Sequence, residues 1–216
     1  MSPRVLALFA KAPEPGLVKT RLCPPLSSGA AADLYRAMLL DVLEQHAAAR
    51  DLERVIWYTP TSSFAWFRDH APSGYRLLPQ YGTDLGARMA QVFRVHHAEG
   101  FRRIVLRGTD SPTLPEDRVP LAFEGLERSD LVVCPDLDGG YNLVGLRAPS
   151  PALFELQMSR ASVLEKTLER AGKLGLAFEV LAPHYDIDTA DDLERAILDL
   201  TAQRTPRTLH WVHTAR

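Results

Sequence analysis

The sequence predicts an α/β protein with a largely parallel sheet covered by helices on both faces. Three observations carry this: short, continuously apolar runs, longer segments of helical period between them, and loops rich in Gly, Pro or Asp where the runs end. The first run, Val5-Leu6-Ala7-Leu8-Phe9, has the length and hydrophobicity of a strand buried on both faces, and Pro13, Pro15 and Gly16 forbid regular structure after it. Leu34, Met38 and Val42 then repeat at helical spacing. Val55-Ile56-Trp57-Tyr58 and Leu77-Leu78 read as strands, followed by a helix through Leu85, Met89, Val92 and His96 with Thr83 or Asp84 as cap. Ile104-Val105-Leu106 is the next strand, and Pro115 suits the first turn of the helix after it. Leu131-Val132-Val133-Cys134 precedes Asp138-Gly139-Gly140-Tyr141, which also reads as a plain hairpin turn into a strand from Asn142 to Leu146. Ser162-Val163-Leu164-Glu165 has capping-box form ahead of Leu168 and Ala171. After the strand Phe178-Glu179-Val180-Leu181, Thr189 is a natural N-cap for a helix with Leu193, Ala196, Ile197 and Leu200 on its apolar face, and Asp191 and Asp192 favour its dipole.

The 216 residues, 46% hydrophobic and 24% charged, suffice for one sizeable core, and no low-complexity stretch divides them. A single domain over 1–203 is expected, with 204–216 a basic tail or packing arm to which no chemistry is assigned. A formal charge of -2 argues against a general nucleic-acid binder, whose surface needs a dense excess of Lys and Arg. Cys23 and Cys134 lack CxxC spacing, so reduced thiols are expected rather than a zinc site or a disulfide. No signal-type segment and no apolar run of membrane-spanning length is present, which makes cytoplasmic the expected location.

In parallel sheets, ligands sit outside the carboxyl ends of the strands. The loops there are Lys11 to Arg21, Gly108-Thr109-Asp110-Ser111-Pro112, Pro135 to Tyr141 and Tyr185-Asp186-Ile187-Asp188-Thr189. Lys11, Lys19 and Arg21 could each be an ordinary solvated charge. Together, behind a buried strand, they describe an anion-binding loop, probed by compact ammonium charges and a bidentate fork, with Gly16 allowing close backbone approach. Leu17 and Val18 separate Gly16 from Lys19, so the loop is not a P-loop, and one glycine is no dinucleotide fingerprint.

Asp110, Asp186 and Asp188 read individually as turn or cap residues. Their convergence on the cationic edge of one sheet points instead to a divalent cation, since Mg²⁺ is commonly held by one or two carboxylates plus phosphate oxygens, and Mn²⁺ takes similar ligands. Asp138, Gly139, Gly140 and Tyr141 describe a wall for a polyhydroxylated substrate. Gln80 and Arg88 are candidate nucleotide contacts, whereas His96 and His97 point in different directions on one helix and make no metal pair.

The ordered motifs F-x-K-x-P-x-P-G-x-V-K-T-R-L, Q-x-G-x-D-L-G-x-R-M, G-T-D-S-P-T-L, D-G-G-Y-x-L-V-G-L and D-I-D-T-x-D-D-L span Val5 to about Leu200. This set resembles the DUF2064 family, glycosyltransferase-like bacterial proteins also called radical-SAM/selenodomain-associated transferases, within the nucleotide-diphospho-sugar transferase superfamily. The resemblance implies a GT-A type fold, a Rossmann-like three-layer α/β/α sandwich with a mixed, mainly parallel sheet. It further implies that Lys11, Gly16, Lys19, Thr20 and Arg21 meet nucleotide phosphates, that Asp110 and Asp188 hold the metal, and that Asp138 to Tyr141 line the acceptor or sugar pocket. Catalysis would then fall to Lys19, Arg21 and Asp110. The chain has G-T-D-S-P where glycosyltransferases have D-x-D, a form closer to the molybdenum-cofactor and phospholactate guanylyltransferases.

The leading expectation is a Mg²⁺-dependent transferase passing sugar from a nucleoside diphosphate sugar to a small-molecule acceptor, with the diphosphate leaving group stabilised electrostatically. A nucleotidyltransferase that joins an NTP to a phosphorylated acceptor and releases pyrophosphate is the rival within the same fold. A non-catalytic nucleotide-sensing module is the rival of another class, disfavoured by the presence of both Asp110 and Asp188. Base, sugar, acceptor and oligomeric state are not legible.

Overall fold

In the computed structural model of the chain, residues 3–49, 51–155 and 162–214 are described. Seven strands form one sheet: β1 (Arg4–Lys11), β2 (Glu53–Thr59), β3 (Arg76–Pro79), β4 (Arg103–Arg107), β5 (Leu131–Pro135), β6 (Tyr141–Leu146) and β7 (Phe178–Val180). Their order is β3-β2-β1-β4-β6-β5-β7, and every neighbouring pair is parallel except those involving β6. The α/β class and the mixed, mainly parallel sheet follow the expectation.

The central strands are buried on both faces, which is why their sequences are unbroken apolar runs. Side chains alternate between two cores. Leu6, Leu8, Ile56, Val105 and Val132 face α1 (Ser28–Ala47), α2 (Phe64–His70) and α4 (Arg118–Gly125) through Tyr35, Leu39, Phe67 and Phe123. Val5, Ala7, Val55, Ile104 and Val133 face α3 (Leu85–Ala98) and α5 (Val163–Lys173) through Val92, Phe93 and Ala171. The result is the three-layer sandwich.

Helix α1 is covered twice. Tyr35, Leu39 and Val42 pack on the sheet, while Leu34 and Met38 join Tyr185, Ile187 and Ala196 in a third core, with Trp211 against it. That third core seats α6 (Ala190–Ala196) and α7 (Pro206–Thr214) beside α1. Asp41 on α1 is fully buried and accepts from the backbone N–H of Thr208 at 2.8 Å and from its hydroxyl at 2.7 Å. Of the two readings offered for 204–216, a mobile tail and a packing arm, the segment through Thr214 takes the second form, a helix docked on α1.

Two local expectations are corrected. Ser162 precedes α5 but its side chain makes no capping bond, because its backbone is not in the extended conformation a cap requires (φ −102°, ψ 11°). Pro115 lies in the turn before α4 rather than in its first turn, with Arg118 N–H donating to Pro115 O at 3.1 Å. By contrast Asp84 caps α3, accepting from Ala87 N–H at 2.8 Å, and Thr189 and Asp192 form a reciprocal capping box on α6.

Candidate active site

The ends of β1, β4, β5 and β7 lie on one edge of the sheet, and β6 begins there because it runs the opposite way. The segments leaving that edge are stitched together. Ile187 N–H donates to Asp110 O at 2.9 Å, Asp186 N–H to Asp136 Oδ1 at 3.3 Å, and Leu137 N–H to His184 O at 3.0 Å. The loops carrying Asp110, Asp136 and Asp188 therefore form one surface, although their residues are far apart in sequence.

Above it passes the loop from Ala12 to Lys19. Gly16 has φ +77°, a conformation that glycine adopts without strain, and among the described residues beyond its chain neighbours no atom lies within 4 Å of where a Cβ would stand. Lys19 is also left-handed (φ 49°, ψ 37°), which is uncommon for a side-chain-bearing residue. This turns its side chain inward, leaving it 3% exposed between two carboxylates. Nζ contacts Asp110 Oδ1 and lies 2.8 Å from Asp188 Oδ1. Arg21, in a 3-10 turn (Thr20–Leu22), reaches the other Asp188 oxygen at 3.3 Å.

Burial pulls the Lys19 ammonium toward losing its proton, but Asp110 and Asp188 outweigh burial and hold its pKa above the usual lysine range. Asp188 is drawn below the usual carboxylate range, since Lys19 and Arg21 together overcome the opposing effect of burial. Both shifts favour the charged forms of Lys19 and Asp188.

A relay of hydrogen bonds supports the floor. Lys11 N–H donates to Tyr35 Oη at 3.1 Å, Tyr35 Oη pairs with Thr109 Oγ1 at 3.0 Å, and Thr109 Oγ1 donates to Phe9 O at 3.0 Å. The ends of β1 and β4 are thus tied to α1. Burial first, and Asp110 second, push the Tyr35 phenol up to about 12. The Lys19 ammonium also stands 5.8 Å above the Tyr35 ring.

Asp136 and Asp186 form the inner part of the edge. Burial, with Asp138 alongside, pushes Asp136 up to about 6. Burial together with Asp110 and Asp136 raises Asp186 well above the usual carboxylate range, and its Oδ1 has no hydrogen-bond partner among the described residues. Asp186 is thus the neutral-leaning member of the D-x-D pair and Asp188 the ionised one.

The structure brings Lys19, Arg21, Asp110 and Asp188 together, with Asp138, Gly139 and Gly140 in the β5–β6 turn on the same edge, whereas Tyr141 opens β6 and, against the expectation, packs on the α3–α5 core with its phenol oxygen buried. Asp138 Oδ1 accepts from Gly140 N–H at 2.8 Å, so this aspartate shapes the turn it stands in. Thr20 is exposed beside Arg21. Lys11 Nζ folds back on Leu17 O at 2.6 Å and braces the loop. The Gln80 side-chain amide donates to Trp57 O at 2.8 Å and Ala10 O at 3.3 Å, pinning the β1–β2 edge, and Arg88 Nε donates to Gly82 O at 3.3 Å. Tyr35, Thr109 and Asp136 went unassigned in the sequence; Asp136 stands in a singled-out loop, but nothing local marks Tyr35 apart from the apolar face of its helix.

The match to the family model "Uncharacterized protein conserved in bacteria (DUF2064)" covers residues 42–160. The chain belongs to the DUF2064 family. This DUF2064 protein is 31% identical over 185 residues to 2-phospho-L-lactate guanylyltransferase of Methanothermobacter thermautotrophicus, covering 83% of the chain and 78% of that relative. It is 27% identical over 133 residues to phosphoenolpyruvate guanylyltransferase of Chloroflexus aggregans, covering 61% of the chain and 64% of the relative. A crystal structure from Desulfovibrio desulfuricans G20, described as a candidate nucleotide-diphospho-sugar transferase, superposes with a TM-score of 0.90 at 31% identity, over 99% of this chain and 95% of that one. The DUF2064 chain is a transferase with the nucleotide-diphospho-sugar transferase fold.

Proposed function

We propose that the protein is a nucleotidyltransferase that binds a nucleoside triphosphate, GTP foremost, and transfers the nucleotidyl group to a phosphorylated small molecule with release of pyrophosphate. The observation that carries this reading is the Lys19 ammonium held between Asp110 and Asp188, with Arg21 on the outer Asp188 oxygen. Phosphoryl chemistry consists largely of positioning and of neutralising charge on non-bridging oxygens. A permanently charged lysine and a guanidinium fork at a sheet edge are the groups for that task. The curated relatives at 31% and 27% identity are both named for guanylyl transfer, which moves the reading away from sugar transfer.

In this reading Lys11, Gly16, Lys19, Thr20 and Arg21 receive the triphosphate, and Gln80 and Arg88 flank the base. Asp138, Gly139 and Gly140 line the acceptor side. An acceptor phosphate oxygen attacks the α-phosphorus, the bond from that phosphorus to the bridging oxygen breaks, and pyrophosphate leaves with the electron pair. Lys19 and Arg21 neutralise the departing charge. Both need to stay protonated, and the upward shift of Lys19 secures this for the buried member.

The carboxylates fit a divalent cation. Asp110 and Asp188 are 39% and 37% exposed, and their oxygens already share one cationic nitrogen. Among the described residues no group of three or more His, Cys, Asp or Glu is placed to hold a metal by itself, so a cation here would share its ligands with the nucleotide. That suits Mg²⁺ or Mn²⁺, which is held by two carboxylates together with phosphate oxygens and water. When bound, the cation would supply further charge stabilisation to the phosphates.

The test is product analysis with the purified chain, Mg²⁺, each NTP and a panel of phosphorylated hydroxy- and enol-acids, after a thermal-shift screen of nucleotides. Pyrophosphate appearing in step with a nucleotide-linked product is expected. Turnover of a nucleotide sugar to free NDP, without pyrophosphate from any NTP, would overturn the reading.

A further inference from the structure

We propose that the cleft between α1 and α4 is a second anion site, one that takes a phosphate-class oxyanion behind the Asp110 loop. The cleft has a volume of about 580 Å³ and is lined by Arg4, His46, Asp51, Arg107, Glu116 and Arg204, among others. It lies on the face of the sheet that α1 and α4 cover, and its lining includes no residue of the Lys11 to Arg21 loop.

Its central feature is Arg107, the largest fully buried side chain, 1% exposed at the end of β4. Among the described residues no carboxylate lies within ion-pair distance of it. Nη1 donates to His46 Nε2 at 2.6 Å and approaches Gln45 Oε1 at 3.5 Å, and Nη2 donates to Ser111 O at 2.7 Å. All three acceptors are neutral, and Nε has none. Asp186 acts on Arg107 only from beyond contact, while Arg204 repels it. A buried guanidinium without a counter-charge is costly, and a fork with free N–H groups is shaped for an oxyanion.

The remaining charges fit this assignment. Arg4 is paired with Asp51 and Arg204 with Glu116 at 2.9 Å, so both rim carboxylates already have partners and are themselves 71% and 76% exposed. Arg107 and Arg204 line the cleft, and with Arg54 they act on His46, also in its lining. Burial, and next Arg204, lower the Arg107 pKa to about 10, the direction an uncompensated cation takes and an anion would reverse.

The site is also wired to the catalytic edge. Arg107 holds the carbonyl of Ser111, and Gln45 Nε2 donates to Pro112 O at 2.7 Å, so the residues that would grip the anion also hold the loop immediately after Asp110.

Inorganic phosphate, titrated at matched ionic strength against chloride, is the probe, and the His46 imidazole resonances are the readout. A saturable perturbation of His46 is expected, with its protonation moved upward. The perturbation should weaken at least about tenfold in Arg107→Met, the loss of charge-assisted hydrogen bonds, and persist in Lys19→Met, where the triphosphate side is disabled. Arg204→Gln, at a partly exposed position, gives the same test by a second route and is expected to weaken phosphate as well. No saturable change at His46, a change equal in wild type, Arg107→Met and Arg204→Gln, or one abolished by Lys19→Met alone would each overturn the second site.

Discussion

Lys19 and Asp188 stand 169 residues apart in the chain and meet through an ion pair of 2.8 Å. Each is aimed by its own backbone. Lys19 is in a left-handed conformation at the end of the proline-stiffened loop, and Asp188 immediately precedes the Thr189 capping box. Replacing Lys19 by Met removes the inner cation and should lower turnover on the order of 10²–10³-fold, as for loss of one oriented stabilising group. Because the ammonium occupies the point where two carboxylates converge, Mg²⁺ should raise the melting temperature of Lys19→Met more than that of wild type. Equal Mg²⁺ shifts would refute that competition.

Asp110→Asn keeps the shape of the side chain and halves the carboxylate charge available at the site. Metal-dependent turnover should fall at least about tenfold, with the Mg²⁺ concentration for half-maximal rate rising. Steady-state rates across a Mg²⁺ and Mn²⁺ series check this, and an unchanged metal dependence would remove Asp110 from the metal assignment.

Tyr35→Phe deletes one oxygen from the relay Lys11, Tyr35, Thr109 and Phe9. Lys11 N–H then loses its partner at a part-buried position and the Thr109 hydroxyl loses one at a buried position, and the cost should be about 1–3 kcal/mol by denaturant titration. Nucleotide affinity should weaken as well, since the base of the phosphate loop is no longer tied to α1. A variant with wild-type stability and affinity would show the relay to be incidental.

Acid should destabilise the fold partly through His46. Burial, and next Arg107, push its pKa down to about 3 from 6.5, so over that window the unfolded chain binds a proton that the folded chain refuses. Stability therefore falls as pH drops through the window, by at most about 1.4 kcal/mol per unit for this group. His184, lowered to about 4 by burial, acts in the same sense, while Asp136, raised to about 6, acts in the opposite one. Comparing wild type with His46→Gln between pH 6.5 and 4 isolates the term. The variant should lose stability less steeply, and parallel curves would contradict the assignment.

Thr189→Ala breaks the capping box that fixes the start of α6 and should cost about 1 kcal/mol. Since Asp188 N–H also leans on Asp192 Oδ2 at 3.3 Å, the carboxylate beside it should lose orientation, raising the KM for the metal-bound nucleotide more than it lowers kcat. A change in stability alone would confine Thr189 to a structural role.

Much of this was legible in the chain because burial on both faces writes strands as apolar runs, and loops that end them are forced to carry Gly, Pro or Asp. The convergence of Lys19, Arg21, Asp110 and Asp188 follows from that edge rule applied to one sheet. Tyr35 was not legible: its phenol reaches Thr109 only after α1 docks, and a tyrosine on an apolar helix face is ordinarily core. Arg107 was hidden for the opposite reason, since an arginine at the end of a strand ordinarily turns to solvent. The capping form at Ser162 misled because the pattern specifies side chains and not the backbone angle of the residue before α5.

The reversed direction of β6 gives the ligand edge one loop that the parallel strands could not supply. A tight hairpin from Asp136 to Gly140 rises there between β5 and β6, anchored by its own ladder, by Leu137 N–H on His184 O at 3.0 Å and by Leu164 N–H of α5 on Gly139 O at 3.0 Å. Its length and chemistry can drift without moving the strands that carry Lys19 and Asp110. On the proposed reading, relatives built on the same sheet could thus exchange one acceptor for another by rewriting a few hairpin residues while keeping the nucleotide side, which is a route by which one transferase scaffold diversifies.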